Sequence, residues 1–177
     1  CRHSGKRLPT DAEWTSAAYL EQRPAPPNGW ARGQRYPYPL GATAKGSHCL
    51  GPCANLKGTA PNGSLTRGTG HVPVMTTPPG VNGLYDMGGN VWNWVIDWYR
   101  PDNHARNKLE GCCENPQGPK SSFNPLEPYQ TQERVLKGGS FLCAPNYCES
   151  YRPSARRGVS PDTGSSHTGF RCAKDLK

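Results

Sequence analysis

The chain lacks any long hydrophobic run. No stretch approaches the roughly 18–20 consecutive apolar residues that a membrane-spanning helix needs, so we expect no membrane span. Apolar residues make up only 33% of the chain and the mean hydropathy is −0.81, which is low for a compact core. An initiating Met and a signal-like segment are also missing, which predicts a processed or truncated polypeptide.

Signatures of nucleic-acid binding are missing as well. The chain is basic, with 21 Lys and Arg against 13 Asp and Glu and a net charge of +8. These charges are dispersed, and no helix-turn-helix, zinc-finger or RNA-binding pattern accompanies the densest group, three Arg within residues 152–157. We therefore expect a basic surface with a few functional arginines and no nucleic-acid partner.

Glycine, proline and aromatic residues are abundant. The 21 Gly and 19 Pro favour irregular structure with few long helices, while five Trp and eight Tyr argue against disorder. A chain of 177 residues is typical of one domain. The composition therefore predicts a single loop-rich domain that is held together by aromatic packing and by covalent or metal links.

Four short elements are predicted within these loops. A capping box of Thr10 and Glu13 begins a helix near residues 10–20, with Trp14 on its apolar side. The aromatic segment 83–99 is typical of a short buried strand, and residues 169–173 of a last one. Residues 134–142 predict a strand broken by two glycines, where another group approaches the backbone closely. Residues 22–83, 101–133 and 153–168 are predicted to be loops.

Eight cysteines are many for a cytosolic protein, since disulfides persist in oxidising compartments. We therefore expect a secreted, periplasmic or endoplasmic-reticulum lumenal protein. Cys143 and Cys148 lie five residues apart and could form a disulfide, bind a soft metal or carry out redox chemistry. Cys49 and Cys53 could close a small loop or bridge to the vicinal pair 112–113, whose geometry is poor for a tetrahedral zinc site.

Several motifs in order resemble the formylglycine-generating enzyme family, also called sulfatase-modifying factors. They are GKRLPTDAEW at 5–14, NGLYDMGGNVWNW at 82–94, RVLKGGS at 134–140 and GFRC at 169–172, with Cys143, Cys148, Tyr151, Arg152, Ala155 and Arg156. The resemblance implies an α+β, C-type-lectin-like fold with little regular secondary structure. It also implies that residues 1–177 form one such domain without its N-terminal part, which a separate chain could supply.

The same resemblance implies an activity. Family enzymes oxidise a cysteine of a sulfatase-type protein or peptide to Cα-formylglycine with molecular oxygen and copper. Two thiolates suit Cu(I), a soft ion, and the matching copper ligands are Cys143 and Cys148. Four further residues match positions of the family site: Ser140, Trp92, Arg152 and Tyr147. The resemblance implies that Ser140 orients oxygen or substrate, that Trp92 excludes water and that Arg152 holds the substrate.

Calcium is a weaker implication of the resemblance. The family's central motif carries a Glu that helps to bind calcium where this chain has Asn93, so a site built from Asp86, Gly89 and Asn93 would be weak or absent. Asn55 and Leu56 resemble part of another calcium site, but the acidic residues expected downstream are missing.

The resemblance also implies one disulfide. Family members with extra disulfides link the positions of Cys1 and Cys172, and those of Ala18 and Pro153; the first pair is present here and both partners of the second are missing. We therefore predict a Cys1–Cys172 bridge that joins the two ends of the sequence.

Two functions from different classes stay open. The first is the copper-dependent oxidase, and the second is a non-catalytic lectin-like binding or structural subunit of a larger extracytoplasmic assembly, which the Asn93 substitution favours. An iron-dependent oxidoreductase on the same scaffold would need a His-rich site, whereas the five His of this chain are isolated in sequence. A count of free thiols separates the first two, because an enzyme retains a reactive pair.

Overall fold

The computed structural model describes residues 1–48, 70–109, 111, 114–127, 129, 131–143 and 150–175. Over these residues regular structure is sparse, with two α-helices and four short strands. Their bounds are α1 Asp11–Tyr19, β1 Trp92–Trp98, α2 Asn103–Leu109, β2 Arg134–Lys137, β3 Arg157–Val159 and β4 Thr168–Phe170. This combination of helices and strands confirms the predicted α+β class. Within the described part of the chain, no helix has the length and apolar character to span a membrane.

Helix α1 begins as the sequence predicts. The Glu13 amide donates to Thr10 Oγ1 at 3.1 Å, and the Thr10 amide donates to Glu13 Oε2 at 2.8 Å, which completes the capping box. Arg7 holds the Glu13 carboxylate from outside the helix at 2.6 Å. Because the first-turn donors are satisfied, the helix can start abruptly after Pro9 and bury Trp14 and Ala18.

The four strands form one mixed sheet in the order β3-β2-β1-β4. Strand β1 is central: it pairs antiparallel with β2, where Asn93 lies opposite Lys137, and parallel with β4, where Trp92 lies opposite Thr168. A register irregularity between Trp94 and Trp98 bends the β1–β2 pair. The predicted strand in the aromatic segment 83–99 is confirmed as β1.

Alternation along β1 divides the sheet into two faces. On the first face, Val95 packs with Val135, Trp14, Ala18, Tyr19 and Met87 in a core beneath α1. On the second face, Trp92 and Leu136 form a smaller core with Ala44, Tyr151 and Cys143. The predicted cysteine site therefore lies on the face of the sheet opposite α1.

Two predicted loops contain regular structure, so those predictions were wrong. Helix α2 lies within 101–133 and begins after Asp102, whose carbonyl accepts from the Arg106 amide at 3.0 Å. Strand β3 lies within 153–168 because it pairs with the outer edge of β2. Gly158 permits this pairing, since a Cβ there would lie 2.5 Å from the Tyr99 ring. A long-range contact selects the strand, and the local sequence carries no signal for it.

The disulfide implied by the resemblance is present in the structure. Cys1 and Cys172 are bonded with their Cα atoms 5.5 Å apart and a sequence separation of 171. Beside the bridge, the Arg7 and Ala173 backbones exchange two hydrogen bonds of 3.0 and 2.8 Å. The first residues are therefore fixed next to the end of β4.

Candidate functional site

A tight turn after β2 positions Cys143. The Ser140 amide donates to the Cys143 sulfur at 3.3 Å, and the Cys143 amide donates to the Ser140 carbonyl at 3.0 Å. Gly139 allows the turn because its φ is +71°, and a Cβ at this position would lie only 3.0 Å from the Cys143 sulfur. The two glycines therefore do what the sequence predicts, which is to admit a close approach to the backbone.

The Cys143 side chain is buried, with 1% of its surface exposed. It packs in one cluster with Trp92, Leu136 and Tyr151. Its sulfur is disulfide-bonded in this structure. Two other predicted site residues, Tyr147 and Cys148, lie outside the described residues, so the full copper pair stays a prediction.

Trp92 and Ser140, two more predicted residues, lie beside Cys143. Trp92 comes from the second face of the sheet and is buried in the Cys143 cluster, and its predicted role in excluding water stays a prediction. The Ser140 hydroxyl is buried and accepts from the Leu142 amide at 3.2 Å. Ser140 therefore shapes the turn through its backbone and side chain together. Arg152 is exposed and follows buried Tyr151.

The residues that were predicted to bind calcium contact other groups of the protein. Asn93 Oδ1 accepts from Arg171 Nε at 2.7 Å and from Trp14 Nε1 at 3.1 Å. The same guanidinium donates to the carbonyls of Tyr85 and Asp86, both at 3.1 Å. A positive charge from the protein therefore already lies among these oxygens.

Both carboxylate oxygens of Asp86 are also in use. They accept from the Met75 amide and the Thr77 hydroxyl, each at 2.9 Å. Calcium binding by Asp86, Gly89 and Asn93 stays a prediction, and this set does not fit the ion well, because it would have to displace Arg171. Asn55 and Leu56 lie outside the described residues. Over the described part of the chain, no group of three or more His, Cys, Asp or Glu could hold a metal.

A buried cluster of charged residues on the first face of the sheet was not predicted from the sequence. Asp11 lies 3.1 Å from Lys137 Nζ and 2.6 Å from Arg156 Nε, and its neighbour Asp97 accepts from the Asp11 amide at 2.7 Å. Burial alone would raise the pKa of Asp11, but the charges of Lys137 and Arg156 hold it below its ordinary value. The members of this cluster are isolated in sequence, so no local pattern indicated it.

Asp97 differs from Asp11 because no cation is in direct contact with it in the described structure. Burial raises the pKa of Asp97 to about 6, with a further upward contribution from the negative charge of Asp11. The pKa of Lys137 is lowered, again chiefly by burial, although Asp11 opposes the shift. This cluster holds α1 on the sheet and lies away from Cys143, so it stabilises the scaffold beneath the site.

A small mixed sheet with sparse helices and a buried cysteine turn defines an α+β domain of the formylglycine-generating type. Residues 1–176 match the family described as "Sulfatase-modifying factor enzyme 1-like domain". The chain belongs to this family, as the motifs in its sequence predict.

Curated relatives carry the corresponding name. The chain is 39% identical over 174 residues to the formylglycine-generating enzyme of Thermomonospora curvata, covering 97% of this chain and 50% of the relative. Its identity to the enzyme of the same name from Streptomyces coelicolor is 37% over 177 residues, with coverages of 98% and 48%. The chain therefore spans about half the length of the curated relatives it matches.

Solved structures support the fold. Treponema denticola variable protein 1 superposes with a TM-score of 0.60 at 26% identity, covering 93% of this chain and 46% of that one. The protein CarF superposes with a TM-score of 0.58 at 20% identity, over 98% of this chain and 49% of its own. The second likeness concerns the fold alone.

Proposed function

We propose that this protein takes part in oxidising a cysteine of a sulfatase-type protein or peptide to Cα-formylglycine, as a copper-dependent oxidase that uses molecular oxygen. One observation carries the proposal: Cys143, which the family resemblance matches to a copper ligand, is buried beside Trp92 with an amide hydrogen bond to its sulfur. Family membership and the names of the relatives support the same reaction. Because the relatives are about twice as long, the activity is proposed for the complete domain.

The chemistry of the Cys143 turn suits a soft metal after reduction. The sulfur is disulfide-bonded in this structure. The proposal therefore requires an external dithiol, which becomes a disulfide itself while it reduces the bond at Cys143 to thiols, before Cys143 and Cys148 can hold Cu(I). The Ser140 amide, 3.3 Å from the sulfur, would then stabilise the thiolate by donating to it. Bound copper would supply the site at which oxygen is activated.

The neighbouring residues have separate roles in this proposal. Trp92 excludes water from the thiolate, because its buried indole packs in the same cluster. Ser140 fixes the turn and carries the hydroxyl nearest to the cysteine in sequence. Arg152 is exposed, and we assign it to contact with the substrate at the surface, where its planar guanidinium can hold a carbonyl or an acidic group.

A copper titration tests the proposal. The native and the reduced protein are titrated with Cu(I) against a competing chelator, followed by aldehyde detection on a cysteine-containing sulfatase-type peptide. Cys143→Ala and Cys148→Ala remove the proposed ligands, whereas the double variant Cys1→Ala/Cys172→Ala is the matched control that removes the described structural disulfide. We expect one-to-one binding after reduction in the wild type and the control, and loss of binding in both single variants.

The opposite pattern would favour the second function. The disulfide at Cys143 and the neutral Asn93 suit a non-catalytic lectin-like binding or structural subunit, in which the cysteine only fixes the turn. A related domain also occurs in the serine/threonine-protein kinase Pkn1 of Chlamydia trachomatis, where a match of 35% identity over 173 residues covers 22% of the relative. A reduced protein that binds no Cu(I) would refute the oxidase and leave the subunit.

The Cys1–Cys172 disulfide supports an oxidising compartment for the protein. We place the protein in a secreted, periplasmic or endoplasmic-reticulum lumenal setting, where such bonds persist. Alkylation of free thiols in cells before lysis checks this: unmodified Cys1 and Cys172 are expected, and labelling of both would contradict the assignment.

A further inference from the structure

Asn90 is a buried polar residue that has no part in the proposed reaction and yet joins separate segments of the chain. It lies just before β1 and has 3% of its surface exposed. Its Oδ1 accepts from the Val72 amide at 3.0 Å, and its Nδ2 donates to the Val72 carbonyl at 3.2 Å. The side chain therefore pairs with the Val72 backbone as a neighbouring strand would, and its polar atoms are satisfied by the protein.

The main chain at Asn90 is bonded to the turn that carries Cys143. The Phe141 amide donates to the Asn90 carbonyl at 2.8 Å. The Gly89 amide donates to the Gly138 carbonyl, also at 2.8 Å. We name this pair of bonds the clamp. Because Gly89 and Asn90 are adjacent in sequence, a shift of Asn90 would disturb the turn at both positions.

The clamp encloses the amide that reaches the cysteine sulfur. Ser140 lies between the two clamped positions in sequence, and its amide donates to the Cys143 sulfur at 3.3 Å. A hydrogen bond weakens steeply when the donor turns away from the acceptor. The clamp therefore sets the direction of the donor that stabilises the sulfur once it is a thiolate.

Two requirements select asparagine at position 90. Its φ is +57°, in the left-handed region that glycine adopts freely and that asparagine tolerates better than most residues with a Cβ. Its side chain also supplies one acceptor and one donor to Val72. Glycine meets the first requirement alone, and ionised aspartate keeps the acceptor but lacks the donor. Variants at this position can therefore separate the backbone requirement from the side-chain requirement.

A third segment holds the same residue. The Asn90 amide donates to the His48 carbonyl at 2.8 Å, and the His48 ring stacks on the Phe141 ring with their centroids 6.1 Å apart. Gly89 admits this approach, because a Cβ there would lie 2.4 Å from the His48 oxygen. These contacts do not involve the Cys143 sulfur, so we expect the clamp to remain when the disulfide at Cys143 is reduced.

We propose that Asn90 is a positioning residue for the Cys143 thiolate. Its side chain anchors it to Val72, its main chain fixes the turn, and the turn aims the Ser140 amide at the sulfur. The reduced cysteine is then presented in one geometry before any metal binds, so less ordering is needed on binding. The inference rests on the proposed function where copper is concerned, whereas the clamp is measured in the metal-free protein.

Asn82 provides a matched control within the chain. It has the same φ of +57°, and its Nδ2 donates to the Ala17 and Leu20 carbonyls at 2.9 and 2.8 Å. These bonds tie it to the end of α1, away from the clamp. Asn82→Gly therefore removes a side chain of the same kind at the same backbone angle, and it reports a general loss of stability.

Amide hydrogen exchange, followed by NMR in the reduced and metal-free protein, is the first measurement. In Asn90→Gly the Phe141 amide should exchange at least about tenfold faster relative to the amides of β2, because the turn opens locally. In Asn82→Gly this ratio should stay at its wild-type value. Asn90→Asp should give an intermediate ratio, since it retains the bond from the Val72 amide. The Ser140 amide proton resonance should move towards that of an unbonded amide in Asn90→Gly and not in Asn82→Gly.

Cu(I) affinity is the second measurement, by titration of the same reduced proteins against a competing chelator. Asn90→Gly should bind Cu(I) about 10–100-fold more weakly than the wild type, which is the usual effect of removing a residue that orients a metal ligand. Asn82→Gly should stay within about twofold of the wild type, as expected for an independent position. Circular dichroism checks that each variant is folded, and Asn90→Asp carries the test if Asn90→Gly is not.

Two results would overturn the proposal. One is an equal acceleration of exchange in the turn and in β2 of Asn90→Gly, which would make Asn90 a residue of general stability only. The other is a Cu(I) affinity that falls equally in the glycine variants of Asn90 and Asn82. A wild type that binds no Cu(I) refutes the oxidase instead, and the exchange ratio then still decides whether Asn90 positions the Cys143 turn.

Discussion

Replacing Asp97 with asparagine should stabilise this protein at neutral pH and leave its stability unchanged in acid. Asp97 is 4% exposed, and burial raises its pKa to about 6, against an ordinary value of 3.8. Around it, Asp11 contributes a negative charge, which opposes ionisation, while Arg156 partly offsets this from a longer distance. The native state therefore binds a proton that the unfolded chain releases.

The sign of the pH dependence follows from this proton. Below about pH 4 both states are protonated, and the contribution to stability is fully present. As the pH rises from about 4 towards 6, Asp97 ionises in the unfolded chain but stays protonated in the native state. Its contribution to the free energy of unfolding is therefore lost over this range. A shift from 3.8 to about 6 corresponds to about 3 kcal/mol of free energy of unfolding.

Asparagine at position 97 does not titrate, and it keeps the shape of the aspartate side chain. Its Oδ1 can still accept from the Asp11 amide, which donates to Asp97 at 2.7 Å. Urea unfolding followed by circular dichroism, under conditions that keep the disulfides intact, gives the free energy at several pH values. We expect Asp97→Asn to match the wild type near pH 4 and to exceed it by about 1–3 kcal/mol near pH 7.5.

His104→Gln is the control for this experiment, because His104 is a neighbouring titratable group. Its pKa is lowered, first by burial and then by Arg156, so its contribution must be measured separately. A variant Asp97→Asn that is less stable than the wild type by a constant amount at every pH would refute the reasoning. It would mean that Asp97 is ionised and paired in the native state.

Three further predictions concern the Cys143 turn and the contacts of Arg171. Gly139→Ala should cost about 1–3 kcal/mol of stability and weaken Cu(I) binding, since the new Cβ lies 3.0 Å from the Cys143 sulfur. Arg171→Met should cost about 1–3 kcal/mol because Asn93 Oδ1 and two carbonyls lose a donor. Added calcium should leave the melting temperature of the wild type unchanged.

The two substitutions have matched controls. Gly33 has a φ of +83° and no atom within 4 Å of a Cβ, so Gly33→Ala reports the backbone strain alone. If the two alanine variants lose the same stability and both keep copper affinity, the steric account of Gly139 is wrong. Arg157→Met changes an exposed arginine on β3, and a calcium-dependent rise in the wild-type melting temperature would contradict the role given to Arg171.

Local sequence patterns predicted the elements that local interactions determine. The capping box at Thr10 and Glu13 fixed the start of α1, and the paired glycines after Lys137 indicated the close approach at Cys143. Strand β3 could not be predicted, since its residues become a strand only by pairing with β2. The role of Arg171 could not be predicted either, because its three acceptors come from a segment more than seventy residues earlier in the chain.

Part of the candidate site could be predicted from the sequence. Trp92, Ser140 and Cys143 were each predicted from the family resemblance, and the structure brings them together on one face of the sheet. The charge cluster of Asp11, Asp97 and Lys137 was missed because its members are isolated in sequence. Burying a strand lysine is favourable only if a carboxylate from another element meets it, and that partner is a property of the fold.

The parallel pairing of β1 with β4 has a consequence for folding kinetics. Trp92 must find Thr168, and Cys1 must find Cys172 across a separation of 171 residues, so contacts between residues far apart in sequence hold the native structure. Such a topology has a high contact order and folds slowly. During synthesis β1 is made long before its second neighbour and keeps an unpaired edge meanwhile. We therefore expect the newly made chain to need protection from aggregation at β1, which a refolding yield that falls steeply with protein concentration would reveal.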